Sequence, residues 1–354
     1  MIFSQVAGPT HERFRREAVT RSNIQKEDTH MLLENKNAVI YGAGGAIGGA
    51  TARAFAREGA RVFLTGHHRA AVESVAQEIS AAGGVAEAAE VDALDEKAVE
   101  EHLKGVVQRF GHVDISFNAV TAVPQPGVQG IPLIELSPES FTLPITAYSR
   151  TNFLTARAAA RRMVERKSGV ILTVTAAPAR SGAPLVGGMA PAWAALESLT
   201  RDLAAELGPH GVRVVCLRPA GIPETDTIGV VFGLHAAALG MSRQDFQAVM
   251  EGQTMRRRLQ TLTEVANVAA FIASDQASAM TGTDLANVRR YANAVYASTD
   301  TCIANLSDEL LDPSHRERPA CLLSALLMTL SMRRGELACL QDQMKGHDDV
   351  AKDP

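Results

Sequence analysis

From Ala38 to about residue 283, short β-prone runs alternate with helical stretches. This alternation constrains the fold more than any other feature of the chain. "NAVIYG" is a β-prone run ending in glycine, and "IGGATARAFAREGA" is helical with a glycine stop. "RVFLTG", "VAEAAEVD", "VDISFNA", "GVILTVTA" and "VRVVCLRPAG" read as further strands. Between them lie "RAAVESVAQEISAAGG", "DEKAVEEHLKGVVQRFG" and "TARAAARRMVERKSG", all helical. In the second of these, Val99, Leu103, Val106, Val107 and Phe110 share one face. Near-continuously apolar strands joined by helices imply a parallel sheet covered on both faces. Right-handed crossovers then give an α/β, doubly wound parallel sheet of Rossmann type.

The strongest local signal is "VIYGAGGAIGGATARAF", where a strand runs into glycines and a helix begins. Gly42 allows the tight turn, Gly44 and Gly45 let backbone approach a bound group, and Gly48 lets helix pack on strand. The free N–H groups at the helix start suit a pyrophosphate. The expected ligand is therefore a dinucleotide. The second strand ends in "TGHHR", with His67, His68 and Arg69 and no carboxylate. An acidic residue there would accept a ribose 2′-hydroxyl. A nearby cation instead suits a 2′-phosphate, so NADP(H) is favoured over NAD(H).

The stretch "GGMAPAWAALESL" reads as the start of a helix, with Trp193, Leu196, Leu199, Leu203 and Leu207 on one apolar face. No titratable side chain lies between Arg180 and Glu197. Beyond Gly221 the chain has little strand character and several weak helical stretches. Such an insertion past a strand's carboxyl end is expected to lie over the cleft as a substrate-covering lid.

Residues from about 31 to 283 resemble the short-chain dehydrogenase/reductase family. The family's TGxxxGxG turn corresponds to Tyr41-Gly42-Ala43-Gly44-Gly45-Ala46-Ile47-Gly48, with Ala46 replacing a glycine. The resemblance implies cofactor contacts at Gly42, Ala43, Gly44, Gly45, Ile47 and Gly48. It places Asp92 and Ala93 beside the adenine, and Asn118 and Ala119 at the turn after the fourth strand, where the family's NNAG reads Asn118-Ala119-Val120-Thr121. It puts Asn152 on the family's structural and proton-relay asparagine, and Thr225 on the threonine after the Pro-Gly turn, with Glu224 the neighbouring alternative. The family's working groups are Ser, Tyr and Lys. Their positions correspond here to Ala176, Met189 and Trp193, so all three polar groups are missing. Thr175, Arg180, Ser181 and Tyr148 are the polar residues nearby, none with a base partner visible in sequence. The implied function is an atypical NADP(H)-binding oxidoreductase acting on a small hydrophobic carbonyl or enone, with Asn152 in the proton path. The alternative is a non-catalytic dinucleotide-binding pseudoenzyme or scaffold. Relatives in the family form dimers or tetramers, so a homo-oligomer is expected.

The remaining features are bounds. A net charge of −4 over 354 residues offers nothing to nucleic acid. No apolar run reaches the ~18 residues of a membrane helix. The four cysteines are scattered, without a CxxC pair, which fits reduced thiols and a cytoplasmic protein. Residues 1–30 are polar and expected to be a disordered extension. Residues 284–354 carry charged helical stretches, and the sheet is expected to lack the family's seventh strand. This segment resembles part of a DinB-like helical-bundle protein. That family's metal-binding histidines correspond to Thr329 and Arg333, ahead of Gly335 and Glu336, so no metal is expected.

Overall fold

The computed structural model describes residues 31–121 and 126–286. The segments 1–30 and 287–354 lie outside the described residues. With them lie the expected N-terminal disorder, the DinB-like positions and Cys302, Cys321 and Cys339.

Seven parallel strands stand in the order β3-β2-β1-β4-β5-β6-β7. They are β1 (Asn37–Tyr41), β2 (Arg61–Gly66), β3 (Val85–Glu90), β4 (Ile115–Asn118), β5 (Gly169–Val174), β6 (Val212–Arg218) and β7 (Thr283–Ala286). The helices are α1 (Ala46–Arg57), α2 (Arg69–Ala81), α3 (Glu96–Phe110), α4 (Pro138–Arg166), α5 (Met189–Leu207), α6 (Asp226–Ala238), α7 (Arg243–Gly252) and α8 (Leu262–Ala273). Every residue of β1 and β4 is buried, as a two-sided parallel sheet requires. On one face Ile40, Leu64, Phe117 and Leu172 pack with Phe55 of α1 and Ala269 of α8. On the other, Val39, Phe63 and Ile171 pack with Leu103 of α3 and Met163 of α4.

Local chemistry sets the helix ends. Asp95 caps α3, accepting from the Lys97 and Ala98 amides at 2.9 and 3.2 Å. The chain leaves α3 through Gly111 at φ +84°. Thr261 and Glu264 form a reciprocal capping box on α8. Ser137 caps α4 ahead of Pro138.

Two expectations are corrected. The sheet has its seventh strand: Thr283–Ala286 pairs with β6 from Val215 to Arg218. Gly282, at φ +64°, turns the chain there and donates its N–H to Val214 O at 2.8 Å. Backbone pairing forms this four-residue strand, which is too short to announce itself by alternation. The buried stripe of α5 is also rotated from the expected one. It runs Met189, Ala192, Leu196, Thr200, Ala204 and Leu207, with Leu199 and Leu203 half-buried. Small side chains at Ala192, Thr200 and Ala204 line this packed face.

Among the described residues no helix is long and apolar enough to cross a membrane.

Candidate active site

The sheet order reverses between β1 and β4, and this switch point opens the crevice where such sheets bind ligands. Gly42 leaves β1 at φ +75°. A Cβ there would stand 2.8 Å from Ala119 O and 3.0 Å from Val120 Cα, so two turns meet backbone to backbone. A Cβ on Gly48 would stand 2.3 Å from Gly42 O, so α1 rests directly on the loop. Gly44 answers to the protein as well as to a ligand, because its Cβ would meet Ala71 Cβ of α2 at 2.9 Å. Ala43 is buried and donates to Thr65 O at 2.9 Å. Ile47 packs against the core beneath. Gly44, Gly45 and Ala46 are exposed. Gly45 is the N-cap of α1 with no side-chain cap and no acidic residue in the first turn. The first amides of α1 therefore face the crevice mouth without a side-chain acceptor, which fits a phosphate.

At the carboxyl ends of β2 and β3, the structure adds a carboxylate that the end of β2 lacks. His67 Nε2 lies 3.0 Å from Asp92 Oδ1, and the same oxygen accepts from Leu94 N at 2.7 Å. Ala93 beside it is buried. Arg69 opens α2 and is tied to Glu73 one turn on, at 2.7 Å. That hydrogen bond holds the guanidinium pKa above its ordinary value.

Asn118 is a turn organiser. Its Nδ2 donates to Thr155 Oγ1 at 2.9 Å and its Oδ1 accepts from Val120 N at 3.0 Å. Ala119 N donates to Tyr41 O at 2.9 Å. Asn152 is buried, and its Nδ2 donates to Tyr148 O at 3.0 Å. Its Oδ1 is buried without a hydrogen-bond partner. Thr225 caps α6: its Oγ1 accepts from Ile228 N at 3.2 Å and donates to Ile222 O at 2.9 Å. Glu224 turns away and accepts from the Leu262 amide.

Near the start of α5, Met189 is fully buried and Trp193 half-buried. They pack in one cluster with Val128, Tyr148, Val186 and Ala192. The paired glycines before Met189 serve this packing. A Cβ on Gly188 would stand 1.9 Å from Phe141 O of α4, and one on Gly187 2.2 Å from Val128 O. The Tyr148 hydroxyl hydrogen-bonds Thr121, and burial pushes its pKa up to about 12.

Beside Ala176 the structure brings together residues distant in sequence. Glu197 is 2% exposed and accepts from Arg218 at 2.7 Å, Arg180 at 2.6 Å and Thr175 Oγ1 at 3.3 Å. Thr175 and Arg180 thus have the carboxylate partner that the sequence did not reveal. Ser181 is exposed and donates to Ala177 O at 3.2 Å.

Helices α6 and α7 form their own apolar pair through Phe232 and Phe246, with ring centroids 5.2 Å apart. They touch the loop before α4: His235 Nε2 lies 3.3 Å from Gln129 Oε1, and a Cβ on Gly130 would stand 3.0 Å from Leu234 Cβ. Burial lowers the His235 pKa. Among the described residues no cluster of His, Cys, Asp and Glu could hold a metal ion.

A doubly wound sheet with a glycine-lined helix start at its switch point defines a dinucleotide-binding protein. The chain belongs to the short-chain dehydrogenase/reductase family. Residues 42–287 match the family model described as enoyl-(acyl carrier protein) reductase. The chain is 31% identical over 266 residues to an L-rhamnose 1-dehydrogenase (NAD(P)(+)) of Azotobacter vinelandii, covering 72% of this chain and 96% of that protein. It is 31% identical over 253 residues to a probable 2,4-dienoyl-CoA reductase of Caenorhabditis elegans, covering 71% and 78%. The crystal structure of NAD+-bound xylitol dehydrogenase superposes with a TM-score of 0.67 at 26% identity, covering 72% of this chain and 98% of that one. A Beutenbergia cavernae structure described as a gluconate 5-dehydrogenase with bound NADP gives 0.62 at 28%, covering 73% and 96%. The chain is thus kin to NAD(P)-linked dehydrogenases and reductases.

Proposed function

We propose that this chain is an NADP(H)-binding oxidoreductase that acts on a small hydrophobic carbonyl or enone. The observation that carries the reading is the α1 start, uncapped, exposed and held by glycine contacts against the turn after β4. Gly44, Gly45 and the first amides of α1 would take the pyrophosphate. His67, Asp92 and Ala93 would flank the adenosine. The nicotinamide, when bound, supplies the two-electron step. Met189, Trp193, Val186 and Val128 offer an apolar wall there, which excludes water and favours an apolar substrate.

NADP(H) over NAD(H) rests on Arg69. It is exposed, and it pairs at the surface with Glu73, a weak kind of interaction. A 2′-phosphate offers the guanidinium a bidentate, doubly charged partner. Asp92 is engaged by His67, which lessens its pull on a ribose hydroxyl.

Calorimetry with NADPH and NADH on the full chain tests the reading, with fluorescence of Trp193, the only tryptophan, as second probe. Micromolar NADPH binding with quenching, and weaker NADH binding, is expected. Absence of binding by either cofactor would end the oxidoreductase reading. Binding with no NADPH oxidation across a carbonyl panel would leave a dinucleotide-binding pseudoenzyme, which the loss of Ser, Tyr and Lys favours.

A further inference from the structure

The missing Tyr at position 189 leaves the site without its usual acid, yet a tyrosine stands in the same cluster. Tyr148 belongs to α4 and packs on Met189, Ala192 and Val186, side chains that reach it from α5 and the loop before it. It is buried, with 6% of its surface exposed. Its hydroxyl hydrogen-bonds Thr121. Thr121 is exposed and closes the turn whose Ala119 and Val120 lie on Gly42. The two hydroxyls therefore run from the apolar cluster to solvent beside the glycine loop. A second observation concerns Asn152, one turn along α4. Its Nδ2 donates to the Tyr148 carbonyl, while its Oδ1 is buried without a partner. An acceptor left so is costly unless a donor from water or ligand meets it.

We infer that Tyr148 is the proton donor of this site, relayed to solvent through Thr121, with Asn152 positioning it. This deepens the oxidoreductase reading and rests on it. In the reducing direction the carbonyl carbon takes a hydride, two electrons and one hydrogen, which NADPH when bound would supply in becoming NADP+. The C=O π pair moves to oxygen, which takes the Tyr148 proton and becomes a hydroxyl. The tyrosinate recovers a proton from the Thr121 hydroxyl, which recovers one from water. The residues facing Tyr148 from α5 and the 126–128 loop are apolar, so the phenol stays protonated at neutral pH and ready to donate.

The test uses the full chain carrying 3,5-difluorotyrosine, whose hydroxyl titrates near neutral pH, read by 19F NMR. The chain has four tyrosines, and Tyr148→Phe assigns the signal. NADP+ places a cationic ring beside the donor. The Tyr148 midpoint is expected to fall by about one pH unit or more, and Thr121→Val is expected to raise it in the free protein. Bound NADP+ that leaves the midpoint unmoved overturns the donor and leaves the cofactor reading intact. No NADP+ binding by calorimetry overturns both. With NADPH and 9,10-phenanthrenequinone as probe, Tyr148→Phe should slow single-turnover oxidation roughly 100-fold or more and keep NADPH affinity within about twofold. An unchanged rate overturns the donor. Should the probe not turn over, the NMR midpoint decides alone.

Discussion

Gly48 and Gly105 make a paired test of how the glycine loop is held, because the same substitution should act with opposite sign at the two. Gly48 lies in the first turn of α1. A Cβ there would stand 2.3 Å from Gly42 O, 2.8 Å from Gly42 C and 3.0 Å from Ala43 Cα, all backbone. None of these atoms can rotate away, so α1 must retreat by about 1 Å to reach ordinary contact. Overpacking of this kind costs about 1–3 kcal/mol. The helix-propensity gain of alanine offsets less than about 1 kcal/mol of that. A net loss of about 1–2 kcal/mol lowers Tm by roughly 2–8 °C for a domain of this size. Gly105 lies in the middle of α3, and a Cβ there would meet nothing within 4 Å. Gly105→Ala should gain about 0.5–1 kcal/mol and raise Tm by roughly 1–4 °C. Thermal unfolding followed by circular dichroism measures both. Calorimetry adds that Gly48→Ala should weaken NADPH binding about tenfold, which is about 1.4 kcal/mol, with Gly105→Ala unchanged. A Gly48→Ala protein as stable as wild type, with full affinity, would refute the close approach of α1 to the loop.

Three further outcomes follow from the same contacts. Arg69→Ala should leave unfolding unchanged, because its pair with Glu73 is exposed, and should weaken NADPH about tenfold while sparing NADH; equal losses for both cofactors in calorimetry would remove Arg69 from the 2′-phosphate site. Asp92→Ala removes the acceptor for both His67 and the Leu94 amide, so it should weaken both cofactors and lower Tm, read by the same two methods. His102 has its pKa pushed down to about 4 by burial, from the ordinary 6.5. The unfolded chain then binds the proton first, so stability is full above pH 6.5 and declines as pH falls toward 4, by up to about 3 kcal/mol. Urea titrations across that window should show the decline in wild type and a flatter curve in His102→Gln.

The glycine loop was legible because its signal is local. A strand, four well-placed glycines and a helix sit within seventeen consecutive residues, and the first and last of the four have a backbone reason. Gly42 needs a positive φ, and Gly48 needs room for Gly42 O. The alternation that foretold the sheet is equally local, and it failed only where backbone pairing outran side-chain pattern, at the four residues of β7. The His67–Asp92 pair was not legible, since two adjacent parallel strands bring their carboxyl ends together whatever lies between them in sequence.

The reading of α5 shows the same limit from inside one helix. Periodicity chose Leu199 and Leu203 because they are large and apolar, yet they are half-buried, while Thr200 and Ala204 take the packed face. A helix pressed closely against a sheet selects for small residues, and a hydrophobic count cannot see that preference. The stretch from Arg180 to Glu197 holds no titratable side chain between its ends, so it read as chemically silent. Folding brings those two ends to 2.6 Å and adds Arg218 from the end of β6 at 2.7 Å. The polar anchor of this site is thus made by three elements that meet only in the fold. Met189 and Trp193 lie on the neighbouring turns of the same helix. Gly188 against Phe141 O and Glu197 against Arg218 fix α5 independently of the side chain at position 189.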